Sequence, residues 1–178
     1  MKVLILGDLH MGIKNDSRKH NHQILDFIDY VCKEHSDVDK VVQLGDWFDR
    51  RDRIGLDTLD MGIQAAKKLS KAFGGENVDT ILGNHDIFHR DTLRPFSPVV
   101  IEPYINVIDE PTTVGDMFLV PWIITEDDWK TCVAGAKDHK YLMAHLELNG
   151  FLMNANYAME GGQSPKELRD YETVFTGH

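Results

Sequence analysis

Lys40-Val41-Val42-Gln43-Leu44-Gly45-Asp46-Trp47-Phe48-Asp49-Arg50 decides the fold: a short apolar run, a glycine, then acids and an arginine. The run Lys40–Leu44, stopped by glycine, reads as a buried strand. A carboxylate just past a strand end points to chemistry, because ligands of open α/β sheets bind at the strand C-termini. The same order recurs on both sides. Upstream, the strand Val3–Leu6 runs into Gly7-Asp8-Leu9-His10-Met11-Gly12; downstream, Asp79–Leu82 runs into Gly83-Asn84-His85-Asp86. Two later runs repeat it, with Tyr141–Ala144 ending in His145 and Thr173–Phe175 leading through Thr176 to Gly177-His178.

Between these runs the apolar spacing becomes helical. A helix is expected from His20 to Lys33, with Ile24, Phe27, Ile28 and Val31 on one face. A second spans Leu56–Phe73, with Leu59, Ile63, Ala66 and Leu69 at helical spacing. Further strands are expected at Ile105–Ile108, Thr112–Val114 and Met117–Val120, and a helix from Glu126 to Ala136 with Thr125 as its N-cap. Ser164-Pro165-Lys166-Glu167 reads as a capping box with proline at the first helical position, opening a short helix to Asp170. Three βα units followed by shorter strands predict an α/β fold of two sheets packed face to face between helices.

Composition sets the frame. The 178 residues, 42% hydrophobic and without a linker-like tract, predict one domain. A chain of this length buries roughly 70% of its unfolded surface and needs no staples. Two cysteines, Cys32 and Cys132, exclude a disulfide framework and a paired-cysteine zinc site, so a reducing compartment fits, and both are read as packing residues. No apolar run approaches the ~18 residues of a membrane span; no membrane partner and a cytoplasmic location are expected. The formal net charge of −10 argues against loose polyanion binding. Any nucleic-acid surface must therefore be a local patch.

Five strand ends would bring Asp8, His10, Asp46, Asn84, His85, His145 and His178 to one rim. A single Asp-x-His, or one Gly-Asn-His-Asp, is most simply a turn with a hydrogen-bonded histidine. Five such events at five strand ends are not. The mixed oxygen and nitrogen donors suit Mn²⁺, Fe or Zn²⁺ better than Ca²⁺ or Mg²⁺. His20 and His22 lie near a helix start and read as surface residues, and Trp47 and Phe48 as core rather than base-stacking residues.

In this order the motifs D-x-H, G-D-x-x-D-R, G-N-H-D, H and G-H resemble the signature of the calcineurin-like metallophosphoesterases, over nearly the whole chain. The resemblance implies a four-layer α/β/β/α sandwich with two mixed sheets flanked by helices, and a pair of divalent ions. Mn²⁺ is the expected metal, with Mg²⁺, Fe or Zn²⁺ as alternatives. It places Asp8 and His10 on one ion, Asp46 between both, and Asn84, His145 and His178 on the other. His85 would stabilise the phosphoryl oxygens or protonate the leaving oxygen, with Asp49 orienting it by a hydrogen bond. The alternative for Asp49 is a salt bridge to Arg50 or Arg53.

Local features narrow the substrate. Arg51 and Asp86 stand where phosphoprotein phosphatases carry glycine and glutamate, and Asp8-Leu9-His10-Met11-Gly12 resembles the D-x-H-[LM]-G of SbcD-type double-strand-break-repair nucleases. His145-Leu146-Glu147-Leu148-Asn149-Gly150-Phe151, with Pro111-Thr112-Thr113-Val114 and Pro121-Trp122, is most similar to the phage recombination members of that group. This resemblance implies 3′-to-5′ exonuclease and single-strand endonuclease activity on DNA, an SMC-like ATPase partner, and the host-cell cytoplasm if the protein is phage-encoded. A homodimer through Leu56–Phe73 and the segment 92–100 is a further implication, although the stripe Leu59, Ile63 and Ala66 fits a core face better. Basic clusters follow three of the motifs: Lys14, Arg18 and Lys19; Arg50, Arg51 and Arg53; and His89, Arg90 and Arg94. The last two are candidate DNA contacts. The rivals are a small-molecule phosphodiesterase or phosphatase of the same fold, and a non-catalytic scaffold. Because the G-H-x-H motif is entered only as far as His178, residues 1–178 are expected to be the N-terminal part of a longer chain.

Overall fold

The apolar runs read as strands all form strands, and a short extra pair joins them. In a computed structural model that describes residues 1–154 and 157–178, they are β1 (Val3–Leu6), β2 (Lys40–Gln43), β3 (Val78–Ile81), β4 (Asn106–Ile108), β5 (Thr112–Val114), β6 (Met117–Val120), β7 (Tyr141–His145), β8 (Leu152–Asn154), β9 (Tyr157–Ala158) and β10 (Thr173–Gly177). Strands β1 to β4 pair in chain order and are parallel throughout. The second sheet, ordered β10-β7-β6-β5, is mixed, with β5 and β6 antiparallel. Strands β8 and β9 form a small antiparallel ladder that hydropathy did not anticipate.

Alternation along the strands explains the layers. Val41 and Val78 face a helix-side core with Ile28, Val31, Ala65 and Leu69, while Val42, Leu44 and Ile81 meet Met117, Leu119 and Met143 of the second sheet. On the far side, Phe118, Val120, Leu142 and Ala144 pack on Trp129 and Cys132. Strands that carry apolar residues on both faces must be covered on both, which gives the α/β/β/α order.

The helices are α1 (Arg18–Glu34), α2 (Leu56–Phe73) and α3 (Glu126–Ala134). The inward face of α1 is rotated from the expected one: Asn21, Leu25, Ile28 and Val31 are buried, whereas Phe27 is 45% exposed. The cause is polar. Asn21 donates to Thr58 Oγ1 of α2 at 2.8 Å and accepts the Gly12 N–H at 2.8 Å, which fixes the helix rotation at its first turn. In α2, Ala66 and Leu69 are buried and Leu59 and Ile63 pack against the same core, consistent with a core face. The segment 92–100 carries no α-helix; a 3₁₀ turn at Ser97–Ile101 replaces the expected dimer element.

Thr125 caps α3 as expected, accepting the Asp128 N–H at 3.1 Å while Asp128 accepts the Thr125 N–H at 2.8 Å. Thr125→Ala should therefore cost about 1 kcal/mol in chemical denaturation, with an unchanged fold by circular dichroism. The helix stops at Ala134 and tightens into a 3₁₀ turn, Gly135–Lys137. Pro165–Leu168 is likewise a 3₁₀ turn, and Ser164 makes no side-chain cap bond. Four residues are too few to repay helix nucleation.

Trp47 and Phe48 are fully buried, as expected of core. Burial pushes the Cys132 thiol up to about 12. At pH 8, iodoacetamide should leave native Cys132 unmodified and alkylate it once the chain is unfolded, which peptide mass mapping would read. Among the described residues no helix is long and apolar enough to cross a membrane.

Candidate metal centre

The loops after β1 and β2 are zipped together by backbone bonds, His10 N–H to Asp46 O at 2.9 Å and Met11 N–H to Trp47 O at 2.9 Å. This carries Asp8, His10 and Asp46 to one edge. The ends of β7 and β10 meet them: the His178 N–H donates to Asp8 Oδ2 at 3.0 Å, and His145 Nδ1 lies 2.7 Å from the Leu44 carbonyl. His10 (φ 47°) and Asp46 (φ 54°) both adopt the left-handed region. Non-glycine residues held there cost of order 1–3 kcal/mol each and cluster at functional sites. At Gly45 (φ +99°) a Cβ would lie 2.5 Å from His145 Nδ1, so only glycine lets this imidazole seat against the turn.

Three sets of side chains converge among the described residues; one is His10, Asp49 and His85, and the other two share Asp46. Ligand atoms of Asp8, His10 and Asp46 lie within 4.8 Å of one another, and so do those of Asp46, His145 and His178. Asp46, 1% exposed, belongs to both. Asn84 Oδ1 completes the second set, 3.0 Å from His145 Nε2 and 3.0 Å from His178 Nδ1. All six expected ligands are thus brought together.

The donor chemistry fits cations. His145 Nδ1 donates its proton to the Leu44 carbonyl, so the neutral ring presents a bare lone pair at Nε2. In the neutral ring that lone pair faces Asn84 Oδ1 at 3.0 Å and Asp46 Oδ2 at 3.4 Å, acceptors that call for a proton or a cation between them. Asp8 Oδ1 is buried without a hydrogen-bond partner. Positive charge resolves all of these conflicts. Proton affinities point the same way: burial alone would lower His145, but the hydrogen bond and charge of Asp46 raise it above the usual histidine range. Burial alone would raise Asp46, but His145 and the His85 N–H hold it below the usual carboxylate range. His178 is lowered by burial and by the neighbouring His145.

Asp49 does meet His85, but through its backbone. His85 Nδ1 lies 2.5 Å from the Asp49 backbone carbonyl, not from its carboxylate. The Asp49 carboxylate instead approaches His10, with Oδ1 3.4 Å from Nδ1. Arg50 is engaged by Asp52 at 3.4 Å rather than by Asp49. The loop Asp46–Arg50 hydrogen-bonds to Met11 through the Asp49 N–H, which turns the carboxylate towards the first motif and leaves the carbonyl for the third.

The basic residues divide. Arg94 is held by Asp109 and lies over the Phe96 ring at 4.8 Å, while Arg53 and His89 are exposed, His89 edge-on to Phe88. Arg51 and Arg90 line a cleft that includes Asn84 and Trp122.

Three residues that shape the site had no assigned role in the sequence. Gln43 ties two strand ends together, its Nε2 donating to the Gly7 carbonyl at 3.1 Å and the Gly45 carbonyl at 2.5 Å. A lone glutamine inside an apolar strand was its signal. Asp86, fully buried, accepts the Gly83 N–H at 2.9 Å and the Phe48 N–H at 3.3 Å, locking the second and third motif loops together. Burial and the nearby Asp46 charge push its carboxyl up to about 7. Trp122 stands 5.2 Å from the His178 ring and 5.8 Å from His145, centroid to centroid.

Comparison with known proteins agrees with this geometry. The chain is 29% identical over 188 aligned residues to exonuclease subunit 1 of Enterobacteria phage T4, covering 100% of this chain and 55% of that protein. It therefore spans about half the length of the curated relative it matches. The calcineurin-like phosphoesterase family matches residues 1–178. With the strand-end ligand sets and the α/β/β/α layers, that match over its whole length establishes that the chain belongs to the calcineurin-like phosphoesterase family.

Proposed function

We propose that the chain carries the phosphodiesterase centre of a metal-dependent DNA nuclease, acting as 3′-to-5′ exonuclease and single-strand endonuclease in recombination or repair with an SMC-like ATPase. The observation that carries this reading is the convergence of Asp8, His10, Asp46, Asn84, His145 and His178, with Asp46 shared between both sets. The similarity to a phage exonuclease subunit supports DNA as the substrate.

Asp8, His10 and Asp46 would hold one divalent ion, and Asp46, Asn84, His145 and His178 the other, with Mn²⁺ the expected metal. Such ions neutralise phosphate oxygens and supply a water of lowered pKa. The chain's residues do the rest. The Leu44 carbonyl fixes the tautomer of His145, and the Asp49 carboxylate lies 3.4 Å from His10 Nδ1. His85 gives its Nδ1 proton to the Asp49 carbonyl, so Nε2 is the atom free to carry a proton to the leaving oxygen.

This assigns His85 to the chemistry and not to metal holding. His85→Ala should lower turnover of a phosphodiester by roughly 10²–10⁴-fold while calorimetric Mn²⁺ binding stays at its wild-type value. A variant that loses Mn²⁺ in step with activity would move His85 into the ligand set. Turnover of small diesters with DNA left uncut would favour a small-molecule phosphodiesterase instead.

A further inference from the structure

The geometry points to a nucleotide subsite beside the metal centre: Trp122 stacks one unpaired base, and Arg51 and Arg90 grip a phosphate next to it. This rests on the nuclease reading and specifies how its substrate is held. A cleft of about 450 Å³ is lined by Arg51, Asn84, Ile87, Arg90, Trp122 and Ile124. Small-ligand sites run roughly 300–1,000 Å³, so one nucleotide fits the space.

Each wall offers a different chemistry. Asn84 also belongs to the ligand set, so the cleft opens directly off the reacting centre. Trp122 is anchored by its backbone N–H to the Leu82 carbonyl at 2.8 Å, and its ring leans on His178 and His145. Of the chain's three tryptophans, Trp47 and Trp129 are buried, and Trp122 alone is partly exposed, packed on one side against Leu82, Ile87 and Phe96. Ile87 and Ile124 supply apolar contact. The arginines are selective too: Arg50 and Arg94 are paired with Asp52 and Asp109, whereas Arg51 and Arg90 make no ion pair among the described residues. A planar ring beside two unpaired guanidinium groups matches a base and its phosphate.

Stacking reads every base through its π-face, so the subsite is sequence-tolerant but requires the base to be unpaired. A frayed or single-stranded end satisfies that condition; a closed duplex does not.

The full-length protein provides the test. In EDTA, where hydrolysis is off, dAMP should quench tryptophan fluorescence in the wild type but not in Trp122→Leu. An abasic residue at the cleaved end should slow Mn²⁺-dependent cutting roughly tenfold in the wild type and leave the Trp122→Leu rate on that end the same as on a normal end. Arg51→Ala combined with Arg90→Ala, neither of them a member of the ligand sets, should weaken dAMP binding about tenfold and cost more on DNA than on bis(p-nitrophenyl) phosphate. Equal cutting of abasic and normal ends by the wild type, or unchanged dAMP affinity in the double variant, would overturn the subsite. Failure of the wild type to hydrolyse any phosphodiester would instead sink the nuclease reading, which the metal-free binding arm does not use.

Discussion

Asp46→Asn is expected to lower phosphodiester turnover by roughly a thousandfold or more, about 4 kcal/mol of transition-state stabilisation. Asp46 belongs to both ligand sets, so one substitution strips charge from each. Asparagine is the informative replacement because it keeps the fold contacts: Oδ1 can still accept the His85 N–H at 2.9 Å. The charge is what goes. Kinetics on bis(p-nitrophenyl) phosphate, with Mn²⁺ affinity by calorimetry and a thermal melt on the same samples, would check it. Lost metal and lost turnover with an intact melt is the predicted pattern. Asp46→Asn turning over at the wild-type rate would remove Asp46 from the centre.

Gly83→Ala is expected to be nearly as damaging, for a steric reason. A Cβ at Gly83 would overlap Asp46 Oδ1 and come within 2.5 Å of the Asp46 backbone N. Neither neighbour can give way, since Asp46 already holds a left-handed backbone and its loop is bonded to His10. The end of β3 must move off β2, which breaks the Asp86 bond to the Gly83 N–H and displaces Asn84. Overpacking of this kind costs about 1–3 kcal/mol, and Mn²⁺ affinity should fall at least tenfold. A urea melt and a metal titration would measure both. Gly7→Ala is the control, because a Cβ there meets nothing within 4 Å and should change neither.

The site was legible because its parts are residue types at strand ends. An apolar run closed by glycine and then Asp or Asn-His is readable without coordinates, and the six expected ligands do meet. What the motif could not specify was which atom acts. Asp49 meets His85 through its backbone carbonyl and turns its carboxylate towards His10, and a letter in a sequence carries no orientation. Helix rotation was hidden for a related reason. Hydropathy ranks Phe27 above Asn21, but the bonds of Asn21 to Thr58 and to the Gly12 N–H turn it inward and leave Phe27 in solvent. The roles of Gln43 and Asp86 were hidden likewise, because a buried polar residue is held in place by partners far away in sequence. Short 3₁₀ turns at 97–101 and 165–168 share the sequence signals of helix starts but lack the length to propagate.

The central claim is that these strand ends form a metal-dependent centre that hydrolyses DNA. Release of labelled nucleotides from a 3′-recessed and a single-stranded DNA by the full-length protein, with Mn²⁺ and with EDTA, tests it most directly. The account predicts nucleotide release with Mn²⁺, none with EDTA, and at least a thousandfold less from Asp46→Asn. Intact DNA in Mn²⁺, or release that persists in EDTA or in Asp46→Asn, would contradict it.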